Sequence, residues 1–359
     1  MLTKQELQRT ARQMTLIGTE AQEQLHRARV LVIGAGGLGC PVMQTLAATG
    51  VGYIEVWDDD TVALSNIHRQ ILFGADDVGR KKVEVASEQL RQLQPDIEVK
   101  AVDARLTQDN IVGALAGIDV LIDGSDTFAT KFLAADAAEI TGTPLVWGSV
   151  LRFRGDVATW WTGPGAPDDG VGLRDLYPSQ PDPDSVPDCA TAGVLGVTTS
   201  VVGGLMSTEV VRFLTGRADI GRLHMYDAMT ASIRHFNVAR DPGRALTTQF
   251  TTYSEACSLE GQSLIDELRS GTAQALDIRE PHERAICDLP YPSVHLPLSQ
   301  LDRVTEVFAE LGPGDVVVYC AGGVRSRGFV DKHAALAQQS GITLRSLPGG
   351  ANRWGITKA

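Results

Sequence analysis

The predicted fold of this 359-residue chain is decided by one stretch, Arg29-Val30-Leu31-Val32-Ile33-Gly34-Ala35-Gly36-Gly37-Leu38-Gly39. Its first five residues are mostly apolar, as is typical of a buried parallel strand. The next six fit the pattern G-x-G-x-x-G, in which glycines let a phosphate approach the backbone at a helix N-terminus. The stretch therefore predicts a nucleotide-binding loop made by Gly34, Gly36, Gly37, Leu38 and Gly39.

The same succession of strand and helix continues along the first half of the chain. Apolar runs at residues 53–57, 117–123 and 144–147 are separated by helical stretches. This alternation predicts an α/β fold with a doubly wound, Rossmann-like sheet. Asp58 lies 19 residues after Gly39, where an acid accepts a hydrogen bond from a ribose hydroxyl. These features alone suit a nicotinamide dehydrogenase equally well.

Composition and charge indicate an ordinary globular protein, and the length predicts two domains. Hydrophobic residues make up 43% of the chain, and no window is long and apolar enough to predict a membrane span. The net charge of −12 disfavours nucleic-acid binding. The five cysteines are scattered without a CxxC pair, and the N-terminal residues lack a signal-peptide pattern. We therefore expect reduced thiols and a cytoplasmic protein.

A segment rich in proline and aspartate, at 162–188, is predicted to form a long loop that is functional or mobile. After an apolar helix that ends near Leu214, a second α/β unit follows, with its clearest strands at 275–279 and 316–319. The predicted organisation is a first domain at 1–245, a linker at 246–257 and a small α/β domain at 258–359.

Polar side chains are concentrated after the predicted strands of the first domain. The run at 58–70 includes Asp60, Asn66, Arg69 and Gln70, and it is too polar to form part of a hydrophobic core. Lys82 begins a predicted helix, where a cation opposes the helix dipole and an anionic ligand is a plausible reason for it. Asp126 follows a strand end, where α/β sheets place their sites.

These stretches resemble the ubiquitin-activating-like adenylyltransferases, the MoeB/ThiF family. The resemblance covers about residues 7–238 and includes D-x-D-x-V-x-x-S-N-x-x-R-Q at 58–70, G-x-x-K-V-E at 79–84 and the S-D-T turn at 125–127. Ala11-Arg12-Gln13 and His224-Met225-Tyr226-Asp227-Ala228-Met229 match two further family stretches. The implied cofactors are ATP and Mg²⁺.

The resemblance also implies a role for each matched side chain. Asp58 binds ribose, and the triphosphate is held by Asn66, Arg69, Lys82 and an Arg12 supplied across a homodimer. Asp126 handles magnesium, and the other implied nucleotide-binding residues are Asp60, Gln70 and the glycine loop. Attack of a carboxylate on an α-phosphate needs such cations and a metal-bound leaving group. For Asp60, a role as a turn cap stays open.

One departure from the family concerns zinc. Family members commonly hold zinc between two CxxC pairs, whereas the corresponding segments at 171–178 and 241–247 contain no cysteine here. We therefore expect no zinc. The stretch Arg174-Asp175-Leu176-Tyr177-Pro178 instead resembles the MoeZ type, in which a rhodanese tail is fused to the adenylyltransferase.

Cys320 begins a second glycine-rich loop, Cys320-Ala321-Gly322-Gly323-Val324-Arg325, directly after a predicted strand. Backbone N–H groups and Arg325 stabilise a thiolate or persulfide in such a loop. The flanking patterns D-x-R-x-x-x-E at 277–283 and L-x-G-G-x-x-x-W at 347–354 resemble the opening and closing stretches of rhodanese domains. The resemblance implies that Cys320 is the sulfurtransferase nucleophile.

Cys189, at the end of the segment rich in proline and aspartate, aligns with a cysteine that some MoeB/ThiF family members join to the carrier as a thioester. A passive role for Cys189 stays open.

Together, the two resemblances imply ATP-dependent adenylation of the C-terminal Gly-Gly carboxylate of a small ubiquitin-like sulfur-carrier protein. Sulfur transfer from a Cys320 persulfide then leads to a carrier thiocarboxylate. The implied partners are that carrier, an upstream persulfide or thiosulfate donor, and a second subunit. The alternatives are a nicotinamide-dependent oxidoreductase with a redox-sensing tail and a non-catalytic carrier-protein scaffold. A tRNA-modifying dehydratase fits an acidic chain poorly. Molybdopterin, thiamin, cysteine, thiosugar and siderophore pathways all stay open.

Overall fold

The computed structural model describes residues 2–181, 193–253 and 258–357. The described chain up to 181 together with 194–253 forms one compact unit, and 258–357 belongs to a second. Residues 246–253, predicted as linker, pack on the first unit through Phe250 and Tyr253. The domain boundaries after 245 and before 258 stay predictions.

The first unit is built on an eight-stranded sheet in the order β3-β2-β1-β4-β5-β6-β7-β8. The strands up to β5 pair in parallel, and the last three are antiparallel. Their bounds are β1 (Arg29–Ile33), β2 (Tyr53–Trp57), β3 (Glu98–Val102), β4 (Val120–Asp123), β5 (Leu145–Leu151), β6 (Arg154–Trp160), β7 (Arg222–Asp227) and β8 (Ser232–Asn237).

Helices cover both faces of this sheet. The helices are α1 (Lys4–Arg9), α2 (Ala11–Ile17), α3 (Thr19–Arg27), α4 (Gly39–Thr49), α5 (Lys82–Leu93), α6 (Ile111–Ala114), α7 (Phe128–Thr141), α8 (Leu173–Leu176) and α9 (Gly196–Leu214). Val30 and Val32 of β1 belong to the core cluster with α4, α5 and α9, whereas Leu31 and Ile33 belong to the cluster with α6 and α7. Because successive side chains of a strand point to opposite faces, a central apolar strand supplies both cores. The predicted doubly wound fold is confirmed.

The second unit contains a four-stranded parallel sheet in the order β11-β9-β12-β13 and a two-stranded pairing of β10 with β14. Its strands are β9 (Ala273–Asp277), β10 (Cys287–Asp288), β11 (Ser293–His295), β12 (Gly314–Tyr319), β13 (Ile342–Ser346) and β14 (Ile356–Thr357). Its helices are α10 (Ser258–Ser270), α11 (Pro281–Ile286), α12 (Val304–Leu311), α13 (Val324–Gln339) and α14 (Gly350–Trp354). The small α/β second domain is confirmed.

The buried strand β12 organises the second core in the same way. Val316 and Val318 pack with Phe308 and Phe329 on one face, and Val317 packs on the other with α10. Within the part of the chain that the structure describes, no helix is both long and apolar enough to cross a membrane.

Candidate active sites

The glycine loop joins β1 to α4 beside the end of β4. Gly34 has a φ of +85°, a left-handed conformation that favours glycine. A Cβ atom at Gly39 would lie 1.9 Å from the carbonyl oxygen of Gly34, so no larger residue fits. A Cβ atom at Gly34 would lie 3.5 Å from the carbonyl oxygen of Gly124, which follows β4. The loop therefore lies where the strand order reverses, the place at which doubly wound sheets bind ligands.

Asp58 follows β2 and is hydrogen-bonded to the glycine loop. Its Oδ2 accepts from the backbone N–H of Ala35 at 2.7 Å, and its Oδ1 accepts from the N–H of Asp60 at 2.9 Å. Burial raises the pKa of Asp58, while the positive charge of Lys82 opposes the rise. The carboxylate is thus fixed beside the loop, and its remaining lone pairs can accept from a ribose hydroxyl.

Lys82 begins α5, and its side chain is buried against the same edge of the sheet. Its Nζ lies 2.8 Å from Oδ2 of Asp60, whose own side chain is 66% exposed. Arg80 and Lys81, the two neighbouring cations, pair with other carboxylates on the surface. Of the three consecutive cations, Lys82 alone is directed to the acidic residues that follow β2.

The segment after β2 turns back across the glycine loop, with a 3-10 turn at Leu64–Asn66. A Cβ atom at Gly37 would lie 3.4 Å from Cδ of Arg69, so the arginine side chain covers the loop. Its Nη1 donates to the carbonyl oxygen of Ser65 at 3.2 Å. Gln70 is buried, and its Oε1 has no hydrogen-bond partner among the described residues. Arg69 therefore keeps hydrogen-bonding capacity for a ligand at the loop.

Asp126 lies in the turn between β4 and α7. It is exposed and forms no ion pair with any other residue that the structure describes. The turn itself is anchored by Asp123, whose Oδ1 accepts from the N–H of Ser125 at 3.0 Å and from its Oγ at 2.5 Å. Asp126 is therefore an unpaired carboxylate on a fixed turn.

The sequence analysis did not identify Lys131, whose side chain anchors the same turn by hydrogen bonds. Its Nζ donates to Oδ2 of Asp123 at 3.2 Å and to the carbonyl oxygens of Ser125 at 2.8 Å and Gly148 at 2.6 Å. The side chain is buried on α7. A lysine among the apolar and alanine residues of the first turns of this helix was the available signal, because a buried ammonium needs partners for all of its donors.

Arg12 is exposed on α2 and is not brought to the glycine loop of its own chain. The next residue, Gln13, donates to the carbonyl oxygen of Thr49 at 2.9 Å, at the C-terminal end of α4. The glycine loop lies at the other end of this helix, about 15 Å away at 1.5 Å per residue. Arg12 forms no ion pair within the described part of the chain.

The two segments that match the family's zinc positions are joined by ion pairs. Arg244 donates to Asp175 at 2.8 Å and to Glu139 at 2.9 Å. Arg174 makes two hydrogen bonds to Asp136, at 2.6 and 2.7 Å. Burial opposes ionisation of Asp175, but hydrogen bonds from Arg244 and the backbone lower its pKa overall. We call Asp136, Glu139, Arg174, Asp175 and Arg244 the ion-pair cluster.

In the second unit, Cys320 directly follows β12 at the base of its glycine-rich loop and is fully buried. Its Sγ accepts from the N–H of Gly323 at 3.1 Å and lies 3.6 Å from Oγ of Ser326. Gly323, at the start of the 16-residue helix α13, has a φ of +95°. A Cβ atom at Gly350 would lie 2.2 Å from the carbonyl oxygen of Cys320. The closing glycines are therefore required for the close approach to the cysteine, and the helix N-terminus stabilises negative charge on sulfur.

Arg325 follows in the first turn of α13 and is held by Glu283. Its Nη1 and Nη2 donate to the two carboxylate oxygens of Glu283, at 2.9 and 2.5 Å. The pKa of Arg325 is raised chiefly by this carboxylate and to a smaller extent by the nearby Cys320. Arg325 therefore lies beside the sulfur atom, but its charge is already paired.

The other cysteines differ in what the structure shows of them. Cys40 packs at the start of α4, and its burial raises the pKa of the thiol to about 12. The thiol is therefore not reactive at neutral pH. Cys189 lies outside the described residues.

Comparison with known proteins identifies the family. The ThiF family model matches residues 10–246, and the rhodanese-like domain model matches residues 260–357. The chain belongs to the ThiF family and carries a C-terminal rhodanese-like domain. The predicted resemblance is confirmed, and it favours a two-domain enzyme over an oxidoreductase or a scaffold.

Two curated relatives show the same organisation or part of it. The chain is 37% identical to the probable adenylyltransferase/sulfurtransferase MoeZ of Mycobacterium tuberculosis, over 98% of this chain and 94% of that protein. It is 45% identical to the sulfur carrier protein adenylyltransferase of Thermus thermophilus, over 67% of this chain and 90% of the relative. The crystal structure of E. coli MccB shares the fold, with a TM-score of 0.59 and 18% identity over 71% of this chain and 76% of MccB.

Proposed function

We propose that this enzyme uses ATP to adenylate the C-terminal Gly-Gly carboxylate of a small ubiquitin-like sulfur-carrier protein and then delivers sulfur to it from Cys320. The observation that carries the proposal is the gathering of Arg69, Lys82 and Asp126 around the glycine loop at the reversal of strand order. The names of the Thermus and Mycobacterium relatives support both the substrate class and the second step.

In the adenylation step, the glycine loop and the N-terminus of α4 receive the phosphates, and Asp58 receives the ribose. An oxygen of the carrier carboxylate attacks the α-phosphorus, and pyrophosphate leaves. Arg69, Asn66 and Lys82 offset the charge that develops on the phosphates, and Arg12 joins them from a second subunit. Lys82 must exchange part of its contact with Asp60 for phosphate, because its Nζ is paired in this structure.

Asp126 is the proposed ligand of Mg²⁺. It fits because a free, exposed carboxylate beside a phosphate site supplies the hard oxygen that Mg²⁺ prefers, with phosphate oxygens and water completing the shell. When bound, the ion neutralises charge on the leaving pyrophosphate. Zinc has no part in the proposal, because ion pairs occupy the segments that match the zinc positions of the family.

In the second step, the terminal sulfur of a Cys320 persulfide attacks the acyl carbon of the adenylate, and AMP leaves. A second thiol then attacks the S–S bond of the resulting acyl disulfide. This releases the carrier thiocarboxylate and leaves Cys320 in a disulfide with that thiol. Cys189 stays a candidate for a thioester intermediate with the carrier. A cytoplasmic setting completes the proposal, because the thiols of Cys40 and Cys320 suit a reducing compartment.

The test is pyrophosphate exchange with a recombinant ubiquitin-like carrier ending in Gly-Gly, beside a matched carrier that lacks the last glycine. We expect exchange with the first carrier only. Cys320→Ala should retain this exchange and form no thiocarboxylate from a persulfide donor, as followed by intact-mass measurement of the carrier. Normal thiocarboxylate formation by Cys320→Ala without free sulfide would contradict the second step, and absence of exchange in the wild type would contradict the first.

A further inference from the structure

The position of Glu283 determines the charge at the mouth of the Cys320 loop. The capping box at the start of α11 holds this carboxylate, because Oε2 accepts from the backbone N–H of Glu280 at 3.0 Å. Both carboxylate oxygens also accept from Arg325. Glu283 is therefore fixed by two independent elements, α11 and α13, and does not swing freely as a surface side chain would.

The pairing of Arg325 with Glu283 bears on which sulfur donor the Cys320 loop receives. A thiosulfate dianion approaching a Cys320 thiolate meets like-charge repulsion, which a free cation at the loop would offset. Arg325 is the guanidinium beside the sulfur, and Glu283 neutralises it in a two-point contact of the kind that guanidinium and carboxylate groups make most strongly. The N–H of Gly323 and the helix N-terminus remain, and they suffice for one negative charge on the Cys320 sulfur.

We propose that Glu283 sets the donor specificity of the Cys320 loop, favouring a persulfide carried on a thiol over a thiosulfate dianion. This inference rests on the proposed sulfurtransferase function and names its donor class. In the favoured reaction, the Cys320 thiolate attacks the outer sulfur of R–S–SH, the R–S⁻ thiolate leaves, and Cys320 becomes Cys–S–SH. With thiosulfate the same thiolate displaces sulfite and becomes Cys–S–S⁻.

The test measures sulfur transfer by the full chain to cyanide, with thiosulfate and cysteine persulfide as the two donors and thiocyanate as the product. Cys320→Ala supplies the uncatalysed background. Glu283→Gln removes the charge while a glutamine at this position still satisfies the capping box. We expect kcat/KM for thiosulfate to rise about tenfold, mainly through a lower KM, because one negative charge near the donor is lost. The value for cysteine persulfide should stay within about twofold.

Glu306→Gln is the matched control, since it neutralises an exposed carboxylate of the same unit that is paired with Arg303 at 3.6 Å. Glu306→Gln should leave kcat/KM unchanged for both donors. A fall in thiosulfate transfer by Glu283→Gln would show that Glu283 positions Arg325 for the anion and would overturn the inference. Preference of the wild type for thiosulfate would overturn it as well. Failure of the wild type with both donors would instead remove the proposed sulfurtransferase function, while pyrophosphate exchange would still report on adenylation.

Discussion

The proposed nucleotide edge, formed by Arg69, Lys82 and Asp126, contrasts with the ion-pair cluster of the same unit. In the cluster, both arginines make several hydrogen bonds to buried carboxylates. At the edge, Lys82 is paired with the exposed Asp60, Arg69 donates to one backbone carbonyl, and Asp126 has no charged partner among the described residues. The same residue types thus serve two purposes. Arginines paired with buried carboxylates join segments of the chain, whereas Arg69 and Asp126 beside the glycine loop keep charge that the proposed function assigns to ligand binding.

The largest expected effect is that of substitutions in the proposed nucleotide edge. Arg69→Ala and Asp126→Ala should each lower pyrophosphate exchange by about a hundredfold or more, because each removes a group that offsets charge in the transition state. The melting temperature should change little, since Arg69 donates only to one backbone carbonyl and Asp126 has no ion-pair partner among the described residues. Arg80→Ala is the matched control, because Arg80 pairs with Asp77 and Glu88 at the surface, and it should keep near-normal exchange. Normal exchange in a folded Asp126→Ala protein would remove Asp126 from the site.

Mutation of the ion-pair cluster should lower stability and leave pyrophosphate exchange nearly unchanged. Arg244→Ala leaves the buried carboxylates of Glu139 and Asp175 without a cationic partner, which should cost about 3 kcal/mol of unfolding free energy. Urea denaturation measures this loss, and exchange at low temperature should remain close to the wild-type value. If Arg244→Ala were as stable as the wild type yet inactive, the contrast between the two regions would be wrong.

Mixing variants tests whether Arg12 completes the edge of a second subunit. Arg12→Ala and Asp126→Ala proteins should each be inactive alone. After subunit exchange, half of the dimers are mixed and each contains one intact site, so about a quarter of the wild-type activity should return. Mass spectrometry of differently tagged subunits verifies the exchange. No recovery in a verified mixture would place Arg12 outside the site.

Acid should weaken the cluster within a defined range of pH. The pKa of Asp175 in the folded protein lies below its ordinary value of 3.8. Its stabilising contribution is therefore complete above about pH 4 and is lost as the pH falls through the lower, folded pKa. The unfolding free energy of the wild type should fall more steeply below pH 4 than that of Arg244→Ala. Parallel curves would contradict this coupling.

A smaller expected effect concerns metal. The purified protein should contain no stoichiometric zinc, because neither segment that matches the family's zinc positions has a cysteine and Arg244 joins the two segments through Asp175. A chelator should leave the melting temperature unchanged, and elemental analysis showing one zinc per chain would contradict the expectation.

The sequence by itself determined the elements whose signals are local. The apolar runs and glycine spacing of 29–39 predicted β1, the loop and α4, because strand and helix periodicity and the steric freedom of glycine are properties of neighbouring residues. The Cys320 loop was predicted for the same reason. The lack of cysteine in the segments that match the family's zinc positions was also visible, but the ion pair that joins these segments was not.

Only the tertiary structure decided which charges are paired. Arg244 lies 105 residues from Glu139, and Arg325 lies 42 from Glu283, so no spacing rule predicts either contact. Lys131 is buried on α7, and its three acceptors come from the end of β4, from the turn that follows it and from the middle of β5. A lysine or arginine in sequence is equally able to bind a ligand, a carboxylate or water. Folding selects among these because burial makes an unpaired charge costly, and burial depends on residues that are distant along the chain.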